Sequence, residues 1–115
     1  MKYENMLQNL KNQYDNNLNL DEWFFSNFRD TFLREINQNE LFPAINYITK
    51  NIISENDDTY VIELLNLLLD LVRKANTTEI PEEIKNNLLS LDMKFSKSQY
   101  QNNMWNEIKH FYLIY

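Results

Sequence analysis

At 115 residues the chain has the length of one domain, and its 43% apolar and 14% aromatic content is ample for a buried core. Seventeen acidic residues against eleven basic ones leave a formal net charge of −6. No run of Lys and Arg is long enough to grip a phosphate backbone or an anionic membrane, so nucleic acid and membrane are excluded as expected partners. The absence of Cys removes disulfides, thiolate metal sites and thiol nucleophiles, and the absence of Gly removes the Gly-rich loops of nucleotide-binding motifs.

A chain without Gly is also poorly suited to tight β-hairpins, which need residues that tolerate positive φ. Asn is plentiful and can take the left-handed position at helix ends and turns. An all-α fold is therefore expected, and apolar spacing divides it into about six helices.

The first helix runs from about Tyr3 to Tyr14, with Tyr3, Met6, Leu7, Leu10 and Tyr14 on one stripe. Asn16, Asn17 and Asn19 break that pattern. Asp21 is the expected N-cap of the second helix, on which Phe25, Phe28, Phe32 and Ile36 recur at helical spacing, with Trp23 and Phe24 widening the face. The third helix opens near Glu40 and aligns Ile45, Ile48 and Ile52; the Glu55-Asn56-Asp57-Asp58 stretch closes it.

From Asp58 to about Lys74 the fourth helix is apolar almost all round, as befits a helix in the middle of a core. It carries Glu63, Asn66 and Asp70 and is too short to span a bilayer. Arg73 and Lys74 stand in its last turn, where the helix dipole favours positive charge. The fifth helix starts at Pro81, has Glu82 and Glu83 in its first turn, and aligns Ile84, Leu88 and Leu91. The sixth runs from about Ser96 to the end with Tyr100, Met104, Ile108, Phe111 and Tyr115 in register.

Two segments repeat a local design. Leu41-Phe42-Pro43-Ala44-Ile45 and Glu79-Ile80-Pro81-Glu82-Glu83-Ile84 both lead into a helix through an apolar residue and Pro, 38 positions apart. Asp21 before Trp23-Phe24-Phe25 and Asp58 before Tyr60-Val61-Ile62 are 37 apart. That period lies in the range of helical solenoid units. The expected organisation is one all-helical domain over 1–115: an N-terminal helix and linker (1–20), helix pairs 21–57 and 58–95, and a C-terminal helix (96–115). HEAT-like stacked pairs are the first expectation and an irregular helical bundle the alternative.

Little chemistry is available. His110 is the only His, with no Cys or second His for a dyad, and it lies one helical turn from Glu107. Glu55, Asp57 and Asp58 crowd one loop but lack the EF-hand spacing, and helix capping explains them. Glu82 and Glu83 are similarly explained by the helix N-terminus. No catalytic residue, metal ligand, cofactor or small-molecule substrate is expected, and the chain is read as a binding protein and not an enzyme. Met1-Lys2-Tyr3-Glu4-Asn5 lacks the pattern of a signal peptide, so a cytoplasmic location is expected.

If the helices alternate in direction, one end gathers Asp21, Glu22, Glu55, Asp57, Asp58 and Asp92, with Lys94 and Lys97 nearby. Tyr60 and Trp23 could serve there as aromatic anchors, burial in the core being the alternative for both. The candidate partner-binding residues are thus Asp21, Glu22, Glu55, Asp57, Asp58 and Tyr60. In its Phe-Pro and Ile-Pro helix openings, acidic balance and short helical length, the chain from Asp21 onward resembles the HEAT-like α-helical immunity proteins of bacterial contact-dependent and polymorphic toxin systems. The resemblance implies a cytoplasmic protein that binds and neutralises a cognate toxin domain, often a nuclease, by blocking its active site or substrate entry; the net charge of −6 in turn makes an acidic surface the expected contact with a basic toxin. A helical-repeat scaffolding or regulatory module is the alternative.

Overall fold

The computed structural model describes residues 2–16 and 19–114, and among them every regular element is helical. The elements are α1 (Lys2–Asn16), α2 (Phe24–Glu35), α3 (Leu41–Ser54), α4 (Asp58–Ala75), α5 (Glu82–Asn86), α6 (Leu88–Phe95) and α7 (Gln99–Phe111), with a 3-10 turn over Gln38–Glu40 before α3. The fold is all-α.

The helices lie in two rows, α1, α3 and α5–α6 in one and α2, α4 and α7 in the other. Within a row they run in the same direction. Tyr3 stacks edge-on to Tyr47 at 5.8 Å, and a turn or two further along both helices Lys11 pairs with Glu55 at 3.0 Å. In the second row Phe25 meets Tyr60 near the start of each helix, and Lys74 donates to the Leu33 carbonyl near the end. The shortest molecular dimension, 20 Å, is two helix diameters of about 10 Å. Close packing joins α3 to α4 across residue 57, and α6 to α7, whereas α2 and α3 hardly touch. This arrangement fits the compact helical bundle.

Most apolar stripes face inward as the spacing predicts. Leu7, Leu10, Phe32, Ile45, Ile48, Ile52, Ile84, Leu91 and Ile108 are buried, and α4 buries Val61, Leu64, Leu65, Leu67, Leu68, Leu69, Leu71 and Val72. α4 sits between α2 and α7 and against α3, which is why both of its faces are apolar. Asp57 caps it, accepting from the Tyr60 amide at 3.1 Å. Asn76 closes it in the left-handed conformation (φ 51°, ψ 47°), the position that Gly usually takes and that Asn supplies in this chain.

Three local expectations are corrected. Asp21 is not the N-cap of α2: Trp23 is, and Asp21 instead folds the preceding turn, its Oδ1 accepting from the Trp23 amide at 2.9 Å and its carbonyl from the Phe24 amide at 3.2 Å. An Asp two residues before an amide readily makes such a turn, which delays the helix. The expected fifth helix is two. Asn87 (φ −124°, ψ 23°) leaves helical geometry while its side-chain amide donates to the Glu83 carbonyl at 2.8 Å, and the axis breaks into α5 and α6.

The last helix begins at Gln99, capped by Ser98; Met104 and Ile108 face inward as expected, but the buried face is rotated away from Tyr100 toward Gln101, Trp105 and Tyr112. Tyr100 is exposed, whereas Gln101, Met104, Trp105, Ile108 and Tyr112 are buried; Tyr115 lies outside the described residues. Trp105 decides the rotation. It packs on Phe95 at 5.5 Å while its indole N–H donates to Asp92 at 2.6 Å, satisfying the polar edge of a large buried ring.

Candidate protein-binding surface

The residues singled out for binding lie where α2 and α4 begin and α1 and α3 end, but they fall into two groups. Glu55, Asp57 and Tyr60 are knit into the fold. Glu55 accepts from the amides of Asn56 and Asp57, both at 3.1 Å, and from Lys11 at 3.0 Å. Burial opposes its charge, but the Asp57 amide and Lys11 outweigh that and hold its carboxyl below the usual range. Asp57 is held low chiefly by the Tyr60 amide, against a smaller cost of burial, with the Tyr14 hydroxyl donating at 2.9 Å.

Tyr60 is buried, so it is not an available anchor. Its ring is stacked against Tyr14 at 5.1 Å and lies beneath the Lys11 ammonium at 4.4 Å, a cation–π contact that joins α1 to α4. Burial pushes its hydroxyl well above the ordinary tyrosine value. Leu7, Gln8, Lys11, Tyr47 and Glu55 line a recess of about 150 Å³ beside it. Lys94 reaches the same junction from α6, donating to the Glu55 carbonyl at 2.6 Å and so capping the end of α3.

Asp21, Glu22 and Asp58 form the second group. All three side chains are exposed, and among the described residues Glu22 and Asp58 have no hydrogen bond or ion pair. Asp92 does not join them, because Trp105 and Lys109 hold it at the seam of α6 and α7. The aromatic side chain that is accessible here is Trp23, 62% exposed and next in sequence to Glu22. The exchange between Trp23 and Tyr60 has a packing cause. Trp23 precedes the first helical turn of α2, whereas Tyr60 is inside α4 and faces α1 and α2.

The outer face of α6 carries a surface for which the apolar spacing of the buried face offers no hint. Leu89 and Met93, one turn apart, are 73% and 64% exposed. The legible signal is that Lys85, Leu89, Met93 and Lys97 recur every four residues, on a different side from Ile84, Leu88 and Leu91.

Among the described residues no group of three or more His, Asp or Glu side chains is placed to hold a metal ion, and no helix is long and apolar enough to cross a membrane. His110 is exposed beside an open groove that Leu69, Arg73, Asn103, Glu107 and Phe111 also line, with Arg73 and Glu107 paired at 3.0 Å. No protein family, curated protein or solved structure matches the chain.

Proposed function

We propose that the chain is an inhibitor of the immunity type, which binds a basic toxin domain and blocks its active site or its access to substrate. The docking end carries Asp21, Glu22, Trp23 and Asp58. The observation that supports this reading is Trp23, a large aromatic side chain left open to solvent beside unengaged carboxylates on a protein of net charge −6. Exposed Trp is costly to hydration and is favoured at the centres of protein interfaces. Carboxylates at the rim would oppose the cationic groove of a nuclease, steer the encounter and stand in for substrate phosphates.

The test is capture of the domain encoded by the immediately upstream reading frame, followed by an assay of its inhibition. Trp23→Ala is expected to weaken the complex by about 30-fold or more, the size of an interface hot spot. Glu22→Lys with Asp58→Lys is expected to slow association and flatten its salt dependence. Asp57 is unsuitable for charge reversal because it caps α4. Association and affinity unchanged in both variants would remove this end from the interface, and the absence of inhibition would overturn the inhibitor reading itself.

A further inference from the structure

The outer face of α6 differs in kind from the acidic end. Lys85 on α5 and Lys97 just beyond α6 are exposed, and among the described residues neither makes an ion pair. The lone carboxylate between them in sequence, Asp92, is held by Trp105 and Lys109. Between the two lysines Leu89 and Met93 lie open, and Met93 borders a recess of about 340 Å³ shared with Ile53, Ser90, Lys94 and Lys97. An exposed apolar pair with a charged rim is the composition of a protein interface, and its rim is positive on a protein that is negative overall.

The same chain carries the complement. Trp23 is an exposed apolar ring with Asp21 and Glu22 beside it. The two surfaces cannot meet within one molecule, because α2 and α6 belong to different rows at opposite edges, with α3 and α4 between them. We infer that the α6 face receives the Trp23 end of a second copy of this chain. Trp23 enters the recess beside Met93, and Asp21 and Glu22 oppose Lys85 and Lys97. Two different patches are joined in such a contact, so a pair leaves one patch of each kind free, one on each copy, and association proceeds head to tail. The inference does not depend on the identity of any toxin, although both contacts use Trp23.

Sedimentation equilibrium of the whole chain over a wide concentration range tests it. The expected result is a mass that rises with concentration and falls back with added salt. Trp23→Ala alone, and Leu89→Lys with Met93→Lys alone, should each remain monomeric. Mixed together they should form a one-to-one complex that grows no further, since each retains the patch the other has lost. All substituted side chains are exposed, and thermal unfolding followed by circular dichroism verifies that each variant is folded. A wild-type chain that stays monomeric throughout would overturn the inference, as would a dimer that survives Trp23→Ala or a mixture that fails to associate. The α6 variant separates this contact from toxin inhibition, which it should leave intact.

Discussion

The 55–58 loop and the outer face of α6 meet at Lys94, yet they dispose of their side chains in opposite ways. In the loop, Glu55 and Asp57 look like surface charges in the sequence but satisfy three backbone amides, a lysine and a tyrosine hydroxyl. On α6, Leu89 and Met93 look like core residues but touch solvent, between lysines that make no ion pair among the described residues. A carboxylate whose hydrogen-bonding capacity is taken up inside the fold is a poor contact for a partner. An apolar side chain with no neighbour is a good one. Residue type alone therefore misplaces both regions.

The largest effect that can break this contrast is expected at the aromatics. Tyr60→Ala should cost about 3–5 kcal/mol in urea unfolding, as for other large buried rings. Trp23→Ala should change stability by less than about 0.5 kcal/mol, as for an exposed side chain. Equal losses at the two sites would mean that Trp23 is packed and Tyr60 is not the core residue described above.

Next in size is the neighbouring carboxylate pair. Asp57→Ala removes the α4 cap and the acceptor of Tyr14 and should cost about 1–2 kcal/mol. Asp58→Ala, one position on, should be nearly silent by the same measurement.

Acid should erase part of that difference. The folded-state pKa of Asp57 lies below its ordinary value, so its ionised form stabilises the fold above about pH 4 and loses that contribution as pH falls through the folded value. The stability gap between wild type and Asp57→Asn should accordingly shrink on acidification, and a gap constant with pH would show that charge is not involved. Glu63 and Asp70, raised mainly by burial although Arg29 pairs with both, work in the opposite sense but cancel in this comparison. The smallest effect is expected on α6, where Leu89→Lys with Met93→Lys should alter stability by no more than about 0.5 kcal/mol per site.

Much of the fold was legible. The stripes of α1, α3 and α4, the capping role of the loop before α4 and the left-handed use of Asn all follow from spacing and side-chain chemistry within a few residues. The register of α7 was not, because Tyr100 and Trp105 are both aromatic, and Asp92, thirteen positions before Trp105, decides which of them turns inward. Of the residues expected to bind a partner, the spacing and charge pattern told the exposed from the engaged only in part. Asp21, Glu22 and Asp58 are exposed as expected, whereas Glu55, Asp57 and Tyr60 serve the fold.

By itself the sequence determined the all-α class of the fold and the inward face of most helices. Those features depend on backbone periodicity and on contacts a turn apart, which every copy of the pattern reproduces. Only the tertiary structure decided which aromatic was covered, which carboxylates were engaged and which apolar residues were left outside. Each of these depends on groups distant in the chain, such as Tyr14 beside Asp57 or Lys94 beside Glu55, which become neighbours once the helices pack in two rows.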